Sequence, residues 1–557
     1  MIGGSGHTGV VHLVLSRTDD GVVATDDDGA VESVDDVVSY VARREAEQPR
    51  WVWDDTTRWY PELLAAGVRV ARCHDLRLCH LILRSSALTA TSTLATAEAN
   101  GWDRPFTLDR PAVDDALFDL ADDRPAQVLD PVAEFRLQQA ALQGADEPGR
   151  LARLLAAESA GALIAAEMTF MGLPWRAEVH DRILEEILGP KPPPGERPAK
   201  LQALALEVRE QLEAPDLNPD SPVDLLKALG NAGLRVKTTA KWELQKLKHP
   251  VIEPLLEYKK LARLLSANGW HWLDTWVVDG RFRPVYVPGG VVTGRWASDG
   301  GGALQLPKQV RGAVIADPGW KLVVADASQL EPRVLTGMAR DEAMAKAGEG
   351  DLYAGIVASG AVATRDEAKI AMLGAMYGAT TGDSGRLMPK LMRAYPKAIG
   401  VVEQAARAGE RGGVVTTTLG RSSPKPTGSW ASAQADVADG GVATDDAERA
   451  RSQSRSWGRF TRNFVVQGSA AEWALCWMAG IRNRLTTLSA GAPLPESPHL
   501  VFFLHDEVVV HTPAEHAAVV ADAIRDAAAE AGRLLFGATP VSFPLQIAVV
   551  EDYGSAK

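Results

Sequence analysis

Three short segments carry residues whose chemistry would act together. KLVVADASQLEPRVL (321–335) begins as a buried strand and reaches a carboxylate, Asp326, just before a helical pattern. A carboxylate where a strand leaves the core can face a cleft on rigid backbone. A plainer reading also fits this stretch alone: Asp326 or Ser328 caps the helix that follows. VFFLHDEVVV (501–510) sets two apolar runs around His505-Asp506-Glu507, the pattern of a tight hairpin with acids at its tip. Taken alone, that tip reads equally well as a polar turn kept for solubility. The flanking runs are too apolar for an exposed ribbon, so the tip is expected on a packed sheet. Oxygen ligands from Asp326 and Asp506 suit a hard divalent cation, and Mg²⁺ takes few carboxylates plus substrate phosphates.

The third segment is RDEAKIAMLGAMYGATTG (365–382). Arg365, Lys369, Leu373 and Tyr377 recur every fourth residue, about 400° apart on a helix, so they drift slowly around one face. The stripe offers two cations for phosphates, then an apolar and an aromatic surface for a flat base. Gly374 and Gly378 permit close approach beside it. An amphipathic helix with a merely solvated basic end is the alternative for this stretch alone. Together, two metal-competent aspartates and a phosphate-plus-base helix meet the needs of two-metal nucleotidyl transfer.

The elements that must position these groups are spread over 557 residues, more than one core can hold. Hydrophobic residues at 46% and charged residues at 24% exclude wholesale disorder. Three cysteines (Cys73, Cys79, Cys476) are too few for a disulfide framework, and a reducing cytoplasm is expected. No apolar run is expected to reach membrane-spanning length, and the N-terminal stretch lacks the basic start of a signal peptide. The net charge of −13 is concentrated in residues 1–150, which hold 26 acids and 14 bases; the remainder is near neutral and free to carry basic patches. Residues 10–150 read as a small α/β unit, and 151–185 as helix. In HPVIEPLLEYKKLARLLS (249–266), Leu255, Leu256, Ala262 and Leu265 lie near one helical stripe, with Lys259, Lys260 and Arg263 elsewhere. Residues 425–447 read as a mobile loop.

At this point the sequence resembles a family A DNA polymerase, in the manner of the large fragment of bacterial DNA polymerase I. DASQLEPR (326–333) is similar to the first palm motif, RDEAKIAMLGAMYG (365–378) to the fingers motif, and HDE (505–507) to the second palm motif. TGR (293–295), ALQLP (303–307), AYPKA (394–398), TTTLGR (416–421), RFTRNFVVQGSAAE (459–472) and EDYGSAK at the end follow in order. The resemblance implies a multidomain α/β and α+β fold: a right-hand polymerase behind a vestigial exonuclease-like α/β domain. Its expected boundaries are 1–150 for the degenerate 3′–5′ exonuclease-like domain, 151–280 thumb, 281–340 palm, 341–455 fingers and 456–557 palm. No 5′-nuclease domain is expected before it.

By the same resemblance Asp326, Asp506 and the Ala327 carbonyl would bind two Mg²⁺ ions, with Mn²⁺ able to substitute and Glu507 as an outer neighbour. Arg365 and Lys369 would hold the triphosphate, Lys369 also serving as general acid for pyrophosphate. Leu373 and Tyr377 would lie by the nucleotide and templating base. Glu331 would bar a ribose 2′-hydroxyl, with Gln329 a nearby polar contact. Arg295, Gln305, Arg459, Asn463, Gln467 and His505 match positions on the primer-template backbone or minor groove. The implied activity is template-directed extension of a primer 3′-hydroxyl with dNTPs, in DNA repair or replication. The enzyme would be a cytoplasmic, nucleoid-associated monomer with no membrane contact.

The departures are specific. Leu373 stands where the family has an aromatic, Ala327 where it has Tyr, and Pro332 where it has Leu. In the N-terminal unit the strand VVHLVLSR lacks the acids that proofreading needs, and Asp54 and Asp55 are expected to be solvated remnants. The unit is therefore expected to lack proofreading. Two rival readings are a single-subunit RNA polymerase, opposed by Glu331 and Glu507, and an inactive DNA-binding clamp, opposed by Asp326, Asp506, Arg365 and Lys369.

Overall fold

The computed structural model describes residues 11–104, 129–379, 382–438 and 444–556. Residues 1–10 of the opening stretch read for a signal peptide lie outside the described residues, and the rest of it leads into the first strand. The first unit is a five-stranded sheet: β1 His12–Thr18, β2 Gly21–Asp26, β3 Val31–Val34, β4 Arg50–Trp53 and β5 Cys73–Asp75, in spatial order β3-β2-β1-β4-β5. β1, β4 and β5 run parallel, which requires crossovers such as helix α1, Thr56–Ala65. Covered on both faces, β4 is apolar throughout its centre, and Trp51, Val52 and Trp53 are fully buried.

Helix α2, Pro148–Met171, overturns one expectation. It is long and apolar enough to cross a membrane, with a mean hydropathy of 1.4 over its most apolar window, two-thirds of it buried. Its hydropathy has a structural cause, since it is packed from several sides. Leu163 enters the core of the first unit, Leu151 and Leu154 a satellite core, and Ile164 and Met168 the central core.

Helix α3, Ile252–Asn268, buries Leu255, Tyr258, Leu261 and Leu264. The buried stripe is thus rotated from the expected one: Leu256, Ala262 and Leu265 are only half-buried, because two separate cores flank the helix. Lys260 and Arg263 are exposed, while Lys259 donates to the Thr239 carbonyl at 2.6 Å and its hydroxyl at 2.7 Å.

The central sheet is antiparallel: β6 Trp320–Ala327, β7 His499–Leu504, β8 Glu507–Pro513 and β9 Leu545–Val550, in order β7-β8-β6-β9. Helices α4 Leu330–Ala339, α5 Leu352–Ala358 and α6 Arg365–Tyr377 follow β6. Helix α7, Thr444–Leu488, runs 45 residues and packs against α2 and against α8, Ala517–Phe536, which itself lies on β6, β8 and β9. The expected loop at 425–447 is largely helical, with Gly428–Ala438 a helix and α7 opening at Thr444. Its alanines favour helix and no proline interrupts them; residues 439–443 lie outside the described residues.

The first unit is bound into the body by a buried network. Glu167 on α2 accepts from Arg482 on α7 at 2.7 Å, from Arg69 at 3.0 Å and from the Tyr60 hydroxyl at 2.7 Å. Arg482 also donates to the Val70 and Ala71 carbonyls. The expectation of solvated Asp54 and Asp55 is corrected here too: they are 7% and 6% exposed. Asp54 accepts from Arg58 at 2.5 Å and Trp59 at 2.6 Å, and Asp55 caps α1 and pairs with Arg77 at 3.2 Å. Trp59 and Arg77 close over the acids, so burial is offset by hydrogen bonds.

Candidate active site

Asp326 closes the apolar run of β6, where Leu322 to Ala325 are buried and Asp326 itself is half-exposed. It does not cap α4, whose N-cap is Gln329 with no side-chain bond. Asp506 sits in the two-residue turn between β7 and β8, and its carbonyl accepts the Ala327 N–H at 2.9 Å. That bond fixes the end of β6, with Asp326, beside the turn that carries Asp506. Backbone at both edges is unusual: His505 has φ 61° and Gln329 φ 58°. Non-glycine residues hold the left-handed region only where the surroundings over-determine it.

Glu507 is corrected in place. It is not at the tip but opens β8, opposite Asp326, and is 2% exposed. Arg311 reaches it at 3.2 Å and the Tyr553 hydroxyl donates to it, with the Arg311 guanidinium 4.5 Å over the Tyr553 ring. Burial, and then the Glu507 charge, push the Tyr553 phenol up, so it stays a donor. These contacts hold Glu507 in place under the hairpin. Arg333 does the same for the turn after Asp326, donating to the carbonyls of Ser328, Gly348 and Gly350 and to the Gln329 side chain.

Helix α6 presents the expected stripe. Arg365, Lys369 and Tyr377 are exposed, and Ala368, Ala371, Met372, Ala375 and Met376 face a separate hydrophobic core. Leu373 is half-buried and packs partly on that core. The glycines serve protein contacts: a Cβ at Gly374 would meet Ser384 at 2.6 Å, and one at Gly378 would meet Arg459 at 2.7 Å. Arg365 is already held, by Asp351 at 2.8 Å, and its hydrogen bond lowers the Asp351 carboxyl below the usual range. Gln329 donates to the same carboxylate at 2.9 Å. The pair is exposed and screened by water, so a phosphate can displace Asp351. Lys369 has no such partner among the described residues.

Glu331 has both oxygens taken: one by Arg295, the other by the Tyr377 hydroxyl at 2.6 Å. Arg295 and His505 line one small cavity. Partial burial, then Arg295 and Arg311, lower the His505 pKa and keep the ring neutral. Gln467 accepts from Thr293 at 2.9 Å, Asn463 is half-buried, and Arg459 is exposed beside Gly378. Gln305 stands apart, at the rim of a groove of about 1180 Å³ that also carries Lys259, Lys260 and Arg263. Sequence reading missed Asp351, Arg311 and Tyr553. Only Tyr553 had a signal, inside the matched ending EDYGSAK, and no role came with it.

No group of three or more metal-ligating side chains occurs among the described residues. Two adjacent half-exposed carboxylates remain, a hard-oxygen donor set that suits Mg²⁺ with water and substrate phosphate completing its shell. In the first unit the buried aspartates Asp54 and Asp55 are engaged by Arg58, Trp59 and Arg77. β1 carries no acid, and Asp75 is buried and bound to Thr56 at 2.7 Å.

Comparison with known proteins agrees with this geometry. The profile of DNA polymerase family A matches residues 196–551. A thermostable DNA polymerase I of Thermus thermophilus is 27% identical over 441 residues, covering 69% of this chain and 49% of that protein. DNA polymerase I of Chloroflexus aurantiacus is 25% identical over 354 residues, covering 58% and 34%. The chain thus spans about half the length, or less, of the curated relatives it matches. The fold is that of the POL domain of Pol1 from M. smegmatis, solved in complex with DNA primer-template and dNTP. The TM-score is 0.69 at 19% identity, over 98% of this chain and 96% of that one. Family A polymerases depend on divalent metal. With a family profile spanning well over half its length, the chain belongs to DNA polymerase family A.

Proposed function

We propose that the chain is a template-directed DNA polymerase, adding dNTPs to a primer 3′-hydroxyl with two Mg²⁺ ions held by Asp326, Asp506 and the Ala327 carbonyl. The observation that carries this reading is Asp326 at its strand end and Asp506 in the adjoining turn, joined through the Ala327 N–H, with α6 tied to the segment after Asp326 through Gln329–Asp351–Arg365 and Glu331–Tyr377. Ions bound there supply Lewis acidity to the attacking hydroxyl and to the triphosphate. The remaining work falls to the chain's own groups. Arg365 exchanges Asp351 for phosphate oxygens, and Lys369 donates a proton to the leaving pyrophosphate. Glu331, held in place by Arg295 and Tyr377, meets a 2′-hydroxyl by bulk. Arg295, Gln305, Arg459, Asn463, Gln467 and His505 are read as primer-template contacts. The three free thiols are in keeping with a reducing, cytoplasmic setting.

Primer extension with dNTPs or rNTPs tests the reading. dNTPs should be incorporated and rNTPs strongly disfavoured, and Glu331→Ala should relax that preference. Preferred use of rNTPs would instead place the chain with single-subunit RNA polymerases, and no extension with either would leave a binding clamp.

Primer-template binding should be salt-sensitive through the thumb. Neutralising Lys260 and Arg263 is expected to lower the slope of log K against log salt by roughly two. Lys259→Gln should change it less, because its ammonium is held by Thr239. A slope unmoved by the double variant would remove α3 from the DNA path.

The first unit should not proofread. A mismatched 3′ end should survive incubation with metal, since Asp54, Asp55 and Asp75 are buried in hydrogen bonds and ion pairs within the unit. Degradation abolished by Asp54→Asn/Asp55→Asn but not by Asp326→Ala would overturn this.

A further inference from the structure

The seam between the first unit and the body holds an open cavity of about 450 Å³. Its walls come from the β4–β5 side of the sheet, α2, α7 and α8. Its charges are lopsided: Arg50, Arg72, Arg153 and Arg482 line it, and Glu530 is the one acid among the lining residues. Glu530 is taken by Arg484 at 2.7 Å, and Arg482 is balanced by Glu167. Arg50, Arg72 and Arg153 have no carboxylate within ion-pair distance among the described residues. Arg50 donates to the Cys73 carbonyl at 3.0 Å and Arg72 to that of Gln48. The Arg72 Nε is buried with no acceptor. A buried donor left without a partner is costly, and three guanidiniums around one cavity repel one another. The lining thiols cannot supply the missing anion, since burial pushes Cys476 up to about 12 and Cys73 higher still. Nor is this a generally basic surface, because residues 1–150 hold 26 acids against 14 bases.

The volume lies in the range of small-molecule sites. Ala156, Ala160, Leu419 and Leu534 offer an apolar wall, and Gln48 and Asn483 offer side-chain amides. We propose that this seam cavity binds a small phosphorylated ligand of mononucleotide size, with its phosphates on Arg50, Arg72 and Arg153. The site is separate from the Asp326–Asp506 cleft. Along α7, Gly480 in the cavity wall lies thirteen residues beyond Gln467, about 20 Å at 1.5 Å per residue. Arg50 and Arg72 belong to the first unit and Arg153 to α2, so a bound phosphate would bridge the two bodies. That gives the first unit a task that needs no catalytic carboxylates.

Calorimetric titration of the full chain with ADP, pyrophosphate and inorganic phosphate, in chelator and without DNA, tests the site. Binding should survive Lys369→Ala, which removes a phosphate contact of the polymerase cleft. It should weaken about tenfold or more in Arg72→Gln and in Arg153→Gln, the loss of one charge-assisted contact. Arg153 is exposed, so its variant should fold normally and retain primer extension without ligand. ADP binding tighter than pyrophosphate identifies a nucleoside phosphate; equal binding identifies a bare polyphosphate, and either supports the site. Absence of binding at millimolar concentration overturns it. So does binding lost in Lys369→Ala but unchanged in Arg72→Gln and Arg153→Gln, or binding of a short single-stranded oligonucleotide with none of the three small probes.

Discussion

Asp326→Ala and Asp506→Ala should each lower primer extension on the order of 10³-fold or more while leaving primer-template affinity close to wild type. The magnitude follows from removing one of the two half-exposed carboxylates proposed to hold the divalent cations: several kcal/mol of transition-state stabilisation, at tenfold per 1.36 kcal/mol. Affinity is spared because neither aspartate is a cation that pairs with backbone phosphate. Loss of a negative charge in the cleft should, if anything, favour DNA slightly. The backbone that joins the two sites stays intact, since the Ala327 N–H to Asp506 carbonyl bond involves neither side chain. Asp326→Asn and Asp506→Asn, which keep shape and lose charge, should fall nearly as far. Glu507→Gln should be milder in kcat, because Arg311 and Tyr553 hold that residue inside the sheet. Extension by either alanine variant near the wild-type rate, with unaltered folding, would remove these residues from the chemistry.

Local features were legible, and features made by distant chain segments were not. The α6 stripe followed from four-residue spacing, and its exposed face is where the spacing put it. Asp326 followed from an apolar strand ending on an acid. Glu507 was misplaced because adjacency to Asp506 says nothing of which residue ends the turn, and the β6–β8 register turns it inward. The α3 stripe was misread because periodicity cannot show that two cores flank one helix. Asp351 and Arg365 are fourteen residues apart, Glu331 and Tyr377 forty-six, and Glu167 and Arg482 over three hundred. Each pair is ordinary in composition, and only the fold makes it a site. Asp54 is the exception: its Arg58 partner lies at i+4, a spacing available in the sequence.

Glu167→Gln should destabilise the protein by about 3–5 kcal/mol, the cost of breaking a buried ion pair by removing one partner. Glu167 is 4% exposed and Arg482 3%, so water cannot replace the lost charge. Two guanidiniums, from Arg482 and Arg69, would be left facing a neutral amide. The effect should be seen first at the seam, because these residues join α2, α7 and the first unit. Limited proteolysis should release residues of that unit from the variant before the body is cut, and chemical denaturation should show the shift in midpoint. The pH dependence has a definite sign. Burial works to raise the Glu167 carboxyl, but Arg482 and then Arg69 outweigh it and hold it well below the usual range. A carboxyl depressed in the folded state contributes its full stability above the unfolded value of about 4.3, and that contribution fades as pH falls below it. Wild type and Glu167→Gln should therefore differ most at neutral pH and converge in acid. A variant as stable as wild type at pH 7, or a difference that grew on acidification, would mean that this network does not hold the two bodies together.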